Sequence, residues 1–171
     1  WMVHSFPTRR SSDLDMGKPA GHKISFILQD FSKAVTKCLR EGIERIKKYQ
    51  EFILVYSDKD TPHPGETAEA FRKFCLENGI KYRIITRFQE NKLEKGQAYF
   101  VIVEAELVKV IKACYRSGLT PGLDVGIIAY NDSPMKEIAA GGITVVSTDF
   151  VAMGRLAADF VKSRQKVFEV I

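Results

Sequence analysis

The residues best suited to bind a small polar ligand follow apolar runs of the sequence. Within a few residues of each run stand hydroxyl, carboxylate, amide, guanidinium or aromatic side chains. Such polar groups hydrogen-bond sugar hydroxyls in pairs, and an aromatic ring stacks on the apolar face of a sugar. In chain order the candidates are Ser57, Asp58, His63, Arg87, Phe88, Glu104, Tyr130, Asn131, Asp132, Ser147, Thr148 and Asp149.

Each candidate also has a purely structural interpretation, so the set carries more weight than any one member. Asp149 fits a helix N-cap and Glu104 fits a helix start, where free N–H groups and the helix dipole favour an acidic side chain. The run Asn131-Asp132-Ser133-Pro134 fits a turn. His63 fits a turn residue, Thr67 fits a residue in the first turn of a helix, and Phe88 fits a core residue.

Catalytic and metal-binding motifs do not occur in this sequence. It has no Gly-x-Ser-x-Gly nucleophile motif, no Gly-x-Gly-x-x-Gly run and no Walker loop. Its histidines, including His22 and His63, lack neighbours that would complete a metal site. We therefore expect neither an enzyme nor a bound cofactor or metal.

The composition narrows the class of protein further. The chain has 171 residues, of which 45% are hydrophobic and 27% charged, with a net charge of +5. These values are typical of a globular protein, and its apolar runs fall far short of the ~20 residues that cross a bilayer. The three cysteines (Cys38, Cys75 and Cys114) are widely spaced and odd in number, which favours buried free thiols in a reducing compartment.

Apolar runs alternate with amphipathic segments along the chain. Runs at 24–28, 52–56, 82–85, 99–103, 125–129 and 143–146 predict strands. Apolar residues three and four apart predict helices after the first, second, fourth and last of these runs, whereas the segments after 82–85 and 125–129 are predicted to be loops. Asp30 or Ser32 is the predicted N-cap of the first helix, and Asp149 that of the last. This alternation predicts an α/β fold with right-handed crossovers and a parallel sheet. Ligands of such sheets bind beyond the carboxyl ends of the strands, where the polar candidates lie.

The N-terminal segment differs from the rest of the chain. Residues 4–14 have no apolar period and look like the translation of a common sequencing adapter. We interpret residues 1–14 as non-native and exclude them from reasoning about the fold. The alternative is a natural basic arm carrying Arg9 and Arg10. If the segment is an adapter, the natural N-terminus lies upstream and is not represented here.

Two segments resemble the regulatory domain of the lac-repressor and galactose-repressor family. The first is 124–134, Asp-Val-Gly-Ile-Ile-Ala-Tyr-Asn-Asp-Ser-Pro. The second is 142–158, which is similar to the family's return strand followed by an Asp-x-x-x-x-Gly-x-x-Ala helix. Three shorter stretches (28–31, 129–131 and 147–150) look like a Bacteroidetes group in which this domain follows a gluconate-repressor-type (GntR) winged helix. Some members of that group control operons for fucose or related sugars.

The resemblance implies a type I periplasmic-binding-protein fold, with two α/β lobes joined by crossovers and a sugar between them. In this chain it implies a first crossover and lobe start at 15–32 and a Rossmann-like C-terminal lobe at 33–130. A crossover and a truncated part of the N-terminal lobe would follow at 131–171. It also implies a homodimer and operator DNA bound by a domain outside this chain.

The resemblance further implies which residues contact the effector. Thr67 occupies a position that often holds a sugar-clamping arginine, and Glu104 one that often holds an asparagine. Either the ligand differs from that of the better-known sugar repressors, or the site is weak. The implied contacts are His63, Thr67, Phe88, Glu104, Asn131 and Thr148.

The predicted function is the sugar-sensing and dimerisation part of a cytoplasmic transcription regulator. The alternative is the binding protein of a sugar ABC transporter, which has the same fold but is exported. The unpaired cysteines weigh against an exported protein.

Overall fold

The computed structural model describes residues 30–56 and 65–163. Several predictions concern residues outside these ranges. They are the adapter-like segment 4–14, the strand at 24–28, the candidates Ser57, Asp58 and His63, and everything after residue 163.

Five parallel strands form one sheet, which confirms the predicted α/β class. The strands are β1 (Glu51–Val55), β2 (Tyr82–Ile85), β3 (Gln97–Val101), β4 (Gly126–Tyr130) and β5 (Thr144–Val146). Their order in the sheet is β2-β1-β3-β4-β5, and every neighbouring pair is parallel. β1 and β3 are buried along their whole length, as continuous apolar runs covered on both faces should be.

Helices cover both faces of this sheet. They are α1 (Phe31–Glu41), α2 (Ile43–Ile46), α3 (Glu66–Glu77), α4 (Glu104–Arg116), α5 (Pro134–Ile138) and α6 (Phe150–Ser163). α1 and α3 bury aromatic and aliphatic side chains against one face, around Phe71 and Phe100. α4 packs on the opposite face, against Tyr99 and Ile127. Asp30 caps α1 by accepting from the Lys33 N–H at 2.8 Å, and Asp149 accepts from the Ala152 N–H at 2.8 Å, so both predicted caps are confirmed.

β5 belongs to the same sheet as the preceding strands. Ile128 pairs with Thr144, and Tyr130 pairs with Val146. The sheet thus continues beyond residue 130, the predicted end of the C-terminal lobe. The connection from 131 to 143, which includes α5, returns the chain to the amino edge and lets β5 run parallel to β4. The helix α5 in this connection differs from the predicted loop.

Gly126 begins β4 under the ring of Tyr49. A Cβ at this position would lie 2.6 Å from Tyr49 Cε2 and 2.9 Å from the Cβ of Ala98. We expect Gly126→Ala to lower the free energy of unfolding by about 1–3 kcal/mol, because the strand and the ring must move apart. Gly154→Ala is the matched control, since nothing lies within 4 Å of its added Cβ, and inside α6 it should stabilise by about 0.5–1 kcal/mol. Urea unfolding measures both, and equal effects would contradict the close approach.

Glu51 begins β1 with a largely buried carboxylate. Its Oε2 accepts from Arg83 Nη2 at 2.7 Å, and its Oε1 lies 3.6 Å from Lys81 Nζ. Burial raises the pKa of this carboxyl, but the hydrogen bond and charge of Arg83 and the charge of Lys81 outweigh burial and hold the pKa below its ordinary value of 4.5.

The lowered pKa of Glu51 predicts a loss of stability in acid. Because the folded pKa lies below the unfolded one, the carboxylate stabilises the fold above the unfolded pKa and loses that effect as pH falls through the folded pKa. We expect Glu51→Gln to cost about 1–3 kcal/mol at neutral pH, and the cost to shrink between about pH 5 and pH 2. Unfolding at several pH values measures this, with Glu77→Gln on the exposed surface as the control. A cost independent of pH would contradict the prediction.

Candidate functional site

The carboxyl ends of all five strands meet at one edge of the sheet. Val55 pairs with both Ile85 and Val101, and the register continues through Ala129 to β5. From β1 the chain moves outward to β2 and then returns to the other side of β1 as β3. This reversal creates a crevice beyond the ends of β1 and β3, which is where open α/β sheets bind ligands.

Asn131 follows β4 directly and has an unusual backbone. Its φ is +58°, a left-handed conformation that asparagine tolerates better than most residues. Its N–H donates to Val146 O at 2.8 Å, and the next N–H, of Asp132, donates to Ser147 Oγ at 3.1 Å. These bonds hold the ends of β4 and β5 together, so Asn131 and Thr148 lie on neighbouring strand ends.

Two buried hydroxyls near these strand ends have no hydrogen-bond partner within the described part of the chain. They are Thr148 Oγ1, on a residue 8% exposed, and Ser133 Oγ, which makes no capping bond to α5. Leaving a buried hydroxyl unpaired costs about 1–3 kcal/mol. A polar ligand, or water in its place, would satisfy a hydroxyl of this kind.

Two predicted contacts lie in the first turns of helices that start at this edge. Thr67 is in the first turn of α3 and is completely buried. Glu104 is exposed and is the first residue of α4, where the helix dipole favours an acidic side chain, as in its structural interpretation. Glu104 follows β3, next to the end of β4, whereas Thr67 is covered by the lobe itself.

Phe88 is turned into the core. Its ring meets the ring of Tyr99 edge to face, with centroids 5.5 Å apart, and its N–H donates to Glu106 Oε2 at 2.8 Å. The residue is 8% exposed and belongs to the cluster that α4 covers. The structure thus gives Phe88 the packing role that was its alternative interpretation, and its contact with an effector stays a prediction.

Sequence reasoning did not single out Lys136 or Ser133 as part of this edge. Lys136 is only 6% exposed, and its Nζ donates to Tyr130 O at 2.9 Å and Asn131 O at 2.6 Å. No sequence signal marked it, because a lysine side chain is ordinarily solvated. Tyr130 was a candidate, and its ring is buried, stacked with that of Phe31 at 6.4 Å between centroids.

The three cysteines are free thiols. Cys75 and Cys114 are buried and Cys38 is half-buried, which confirms the prediction of unpaired thiols. Burial raises the pKa of the Cys75 thiol to about 12, so this group stays protonated at neutral pH. Among the described residues, no cluster of His, Cys, Asp and Glu could hold a metal ion, and no helix is long and apolar enough to cross a membrane.

Comparison with known protein families identifies a match over most of the described chain. The profile of the periplasmic binding protein-like domain matches residues 45–166. That segment contains all five strands and the helices from α3 to α6. No curated protein matches the chain by sequence.

Solved structures share the fold at low sequence identity. A probable maltose operon transcriptional repressor from Staphylococcus aureus superposes with a TM-score of 0.64 at 18% identity, covering 91% of this chain and 61% of its own. A periplasmic binding protein/LacI transcriptional regulator from Alkaliphilus metalliredigens, complexed with D-xylulofuranose, gives 0.63 at 13% identity, covering 86% and 61%. A lactose repressor bound to the anti-inducer ONPF gives 0.67 at 14% identity, also covering 86% and 61%.

These matches establish the type of fold. The five-stranded parallel sheet is that of the type I periplasmic-binding-protein fold. The chain spans about three fifths of the length of each of the three structures.

Proposed function

Because this chain belongs to the family of periplasmic-binding-protein-like domains, we propose that it is the effector-sensing part of a bacterial transcription regulator. The effector in this proposal is a sugar or sugar derivative. Sugar binding shifts the equilibrium between two states of the regulator that differ in DNA affinity. The size of this shift is limited by the difference in sugar affinity between the two states. The proposal assigns the chain no catalysis, metal or cofactor.

The observation that carries this proposal is the chemistry at the ends of β4 and β5. An asparagine held in a left-handed conformation lies next to a strand end where Thr148 has an unsatisfied buried hydroxyl. Amide and hydroxyl groups in that arrangement donate to and accept from the hydroxyls of a sugar. The proposed contacts are His63, Thr67, Phe88, Glu104, Asn131 and Thr148, with Ser133 added from the structure.

The proposed regulator binds DNA through a domain outside this chain. The resemblance to the Bacteroidetes group favours a gluconate-repressor-type winged helix for that domain. We propose that residues 33–146 form one lobe of the sensor and that the chain then passes into the second lobe. We retain the adapter interpretation of residues 4–14, which resequencing of the intact gene tests directly.

We also propose that the sensor forms a homodimer. Large apolar side chains on α4, on α5 and in the turn before β4 are at least two-fifths exposed within the described chain. In the proposed dimer these side chains contribute to the surface that the partner covers. The residues are Val108, Tyr115, Leu123, Met135 and Ile138.

The experiment uses the intact regulator and its own promoter DNA. Thermal-shift assays screen free sugars, including L-fucose and D-xylulose, and gel-shift assays then measure DNA affinity with and without the best stabilising sugar. We expect one sugar to raise the melting temperature and to change DNA affinity by about 5- to 150-fold, the usual range of allosteric coupling.

The same experiment separates the alternatives. A protein that binds sugar, binds no DNA and carries an export signal would be the transporter's binding protein, and the regulator proposal would be wrong. Consumption of a sugar during the assay would reveal an enzyme. We place the protein in the cytoplasm because its three thiols are unpaired.

A further inference from the structure

Lys136 is a buried cation with no carboxylate within salt-bridge distance among the described residues. The residue is 6% exposed, and lysine is almost never so buried without a partner. Its ammonium donates to two consecutive carbonyls, those of Tyr130 at 2.9 Å and Asn131 at 2.6 Å. Hydrogen bonds from a charged donor are among the stronger ones in proteins.

The two carbonyls converge on one ammonium because Asn131 is left-handed. In an extended strand, successive carbonyls point to opposite sides, so one cation does not reach both. The φ of +58° at Asn131 breaks that alternation at the end of β4. A left-handed non-glycine residue is strained and persists only when its surroundings hold it. The Lys136 ammonium is the charged group that binds both carbonyls of this turn.

The backbone of Lys136 also hydrogen-bonds to neighbouring segments. Its N–H donates to Ser133 O at 2.9 Å, and its carbonyl accepts from the Ile143 N–H at 2.9 Å. Lys136 thereby joins the end of β4, the helix α5 and the segment that leads into β5.

We propose that Lys136 is a positioning residue of the effector site, whose ammonium fixes the left-handed backbone from which the Asn131 side chain reaches the sugar. This inference rests on the proposed function, because it assigns Lys136 a role in presenting a sugar contact. Two of the three donors of the ammonium bind backbone carbonyls, and the proposal assigns Lys136 this positioning role and no bond to the sugar.

The first arm of the test needs no sugar. Hydrogen exchange is measured at the Asn131 amide, which donates to Val146 O, and at the Phe52 amide, which donates to Lys81 O inside the sheet. In Lys136→Met we expect Asn131 exchange to rise at least about tenfold relative to Phe52. Lys136→Arg, which keeps a charged donor, should restore most of the protection. Lys109→Met, at an exposed lysine of α4, should leave the ratio of Asn131 exchange to Phe52 exchange unchanged.

The second arm measures affinity for L-fucose and D-xylulose in the intact regulator. Lys136→Met should weaken binding of whichever sugar binds by about tenfold in the wild-type background. In the Asn131→Ala background it should weaken binding by no more than about twofold, because a positioning residue acts through the group that it positions. A merely structural role would lower affinity equally in both backgrounds.

The outcomes are distinct. Unchanged Asn131 exchange in Lys136→Met, or equal losses of affinity in both backgrounds, would overturn the inference. If the wild-type protein binds no sugar, the proposed function fails and the role of Lys136 in a sugar site fails with it. The exchange arm still decides whether the Lys136 ammonium holds the left-handed backbone of Asn131. Should Lys136→Met not fold, Lys136→Gln, a smaller neutral donor, replaces it, with the same expected direction in both arms.

Discussion

Replacing Asn131 with alanine is expected to weaken sugar binding by about 5- to 150-fold in the intact regulator. A hydrogen bond to a buried polar group, once lost, leaves its partner unsatisfied, which costs roughly 1–3 kcal/mol. Asn131 lies next to the strand end where Thr148 Oγ1 is buried and unpaired. In the proposed site the two groups share the hydroxyls of the sugar, and loss of the amide leaves one of those hydroxyls without its partner. Isothermal calorimetry with a sugar that binds the wild-type protein measures the change.

Two further variants make this result interpretable. Asn91→Ala removes an exposed asparagine far from the strand ends and should leave the affinity unchanged. Asn131→Asp keeps the shape of the side chain and its tolerance of the left-handed backbone, so it separates loss of the amide from backbone strain. Wild-type affinity in Asn131→Ala would remove Asn131 from the site.

Replacing Phe71 with alanine is expected to cost about 3–5 kcal/mol of folding free energy. Phe71 is fully buried in α3, and its ring centroid lies 4.8 Å from that of Phe52 and 6.0 Å from that of Tyr82. Removing the ring leaves a cavity between α3 and the sheet that neighbouring aromatic rings are too rigid to fill. Urea unfolding measures the loss.

Leu76→Ala provides the matched control for Phe71. It truncates an apolar side chain on the same helix that is 66% exposed, and surface changes of this kind stay within about 0.5 kcal/mol. If both variants lost the same stability, α3 would not pack through the face that contains Phe71. The predicted difference therefore tests the orientation of the helix as well as its burial.

The sequence predicted the sheet well because its signals were local. Continuous apolar runs such as 52–56 and amphipathic segments between them specify buried strands and crossover helices without reference to distant residues. The caps Asp30 and Asp149 were predictable for the same reason, since a cap bonds to an N–H only a few residues away.

The site was less predictable because it depends on how the chain turns after each strand. Sequence order put Phe88 just beyond β2, but the connection folds back and buries its ring against Tyr99. The buried role of Lys136 could not be foreseen, since it arises only when α5 returns the chain over the end of β4. The continuation of the sheet into β5 depended on the same turn.

The most direct test of this account is to locate bound sugar on the sheet. Two-dimensional amide NMR spectra of the intact regulator, titrated with a sugar that stabilises it, report which backbone groups sense the ligand. We expect the largest shifts at the carboxyl edge, at Asn131, Asp132 and Thr148, while Gly96 and Gly126 at the amino edge stay unchanged. Shifts concentrated at the amino edge, with none at Asn131, would contradict it.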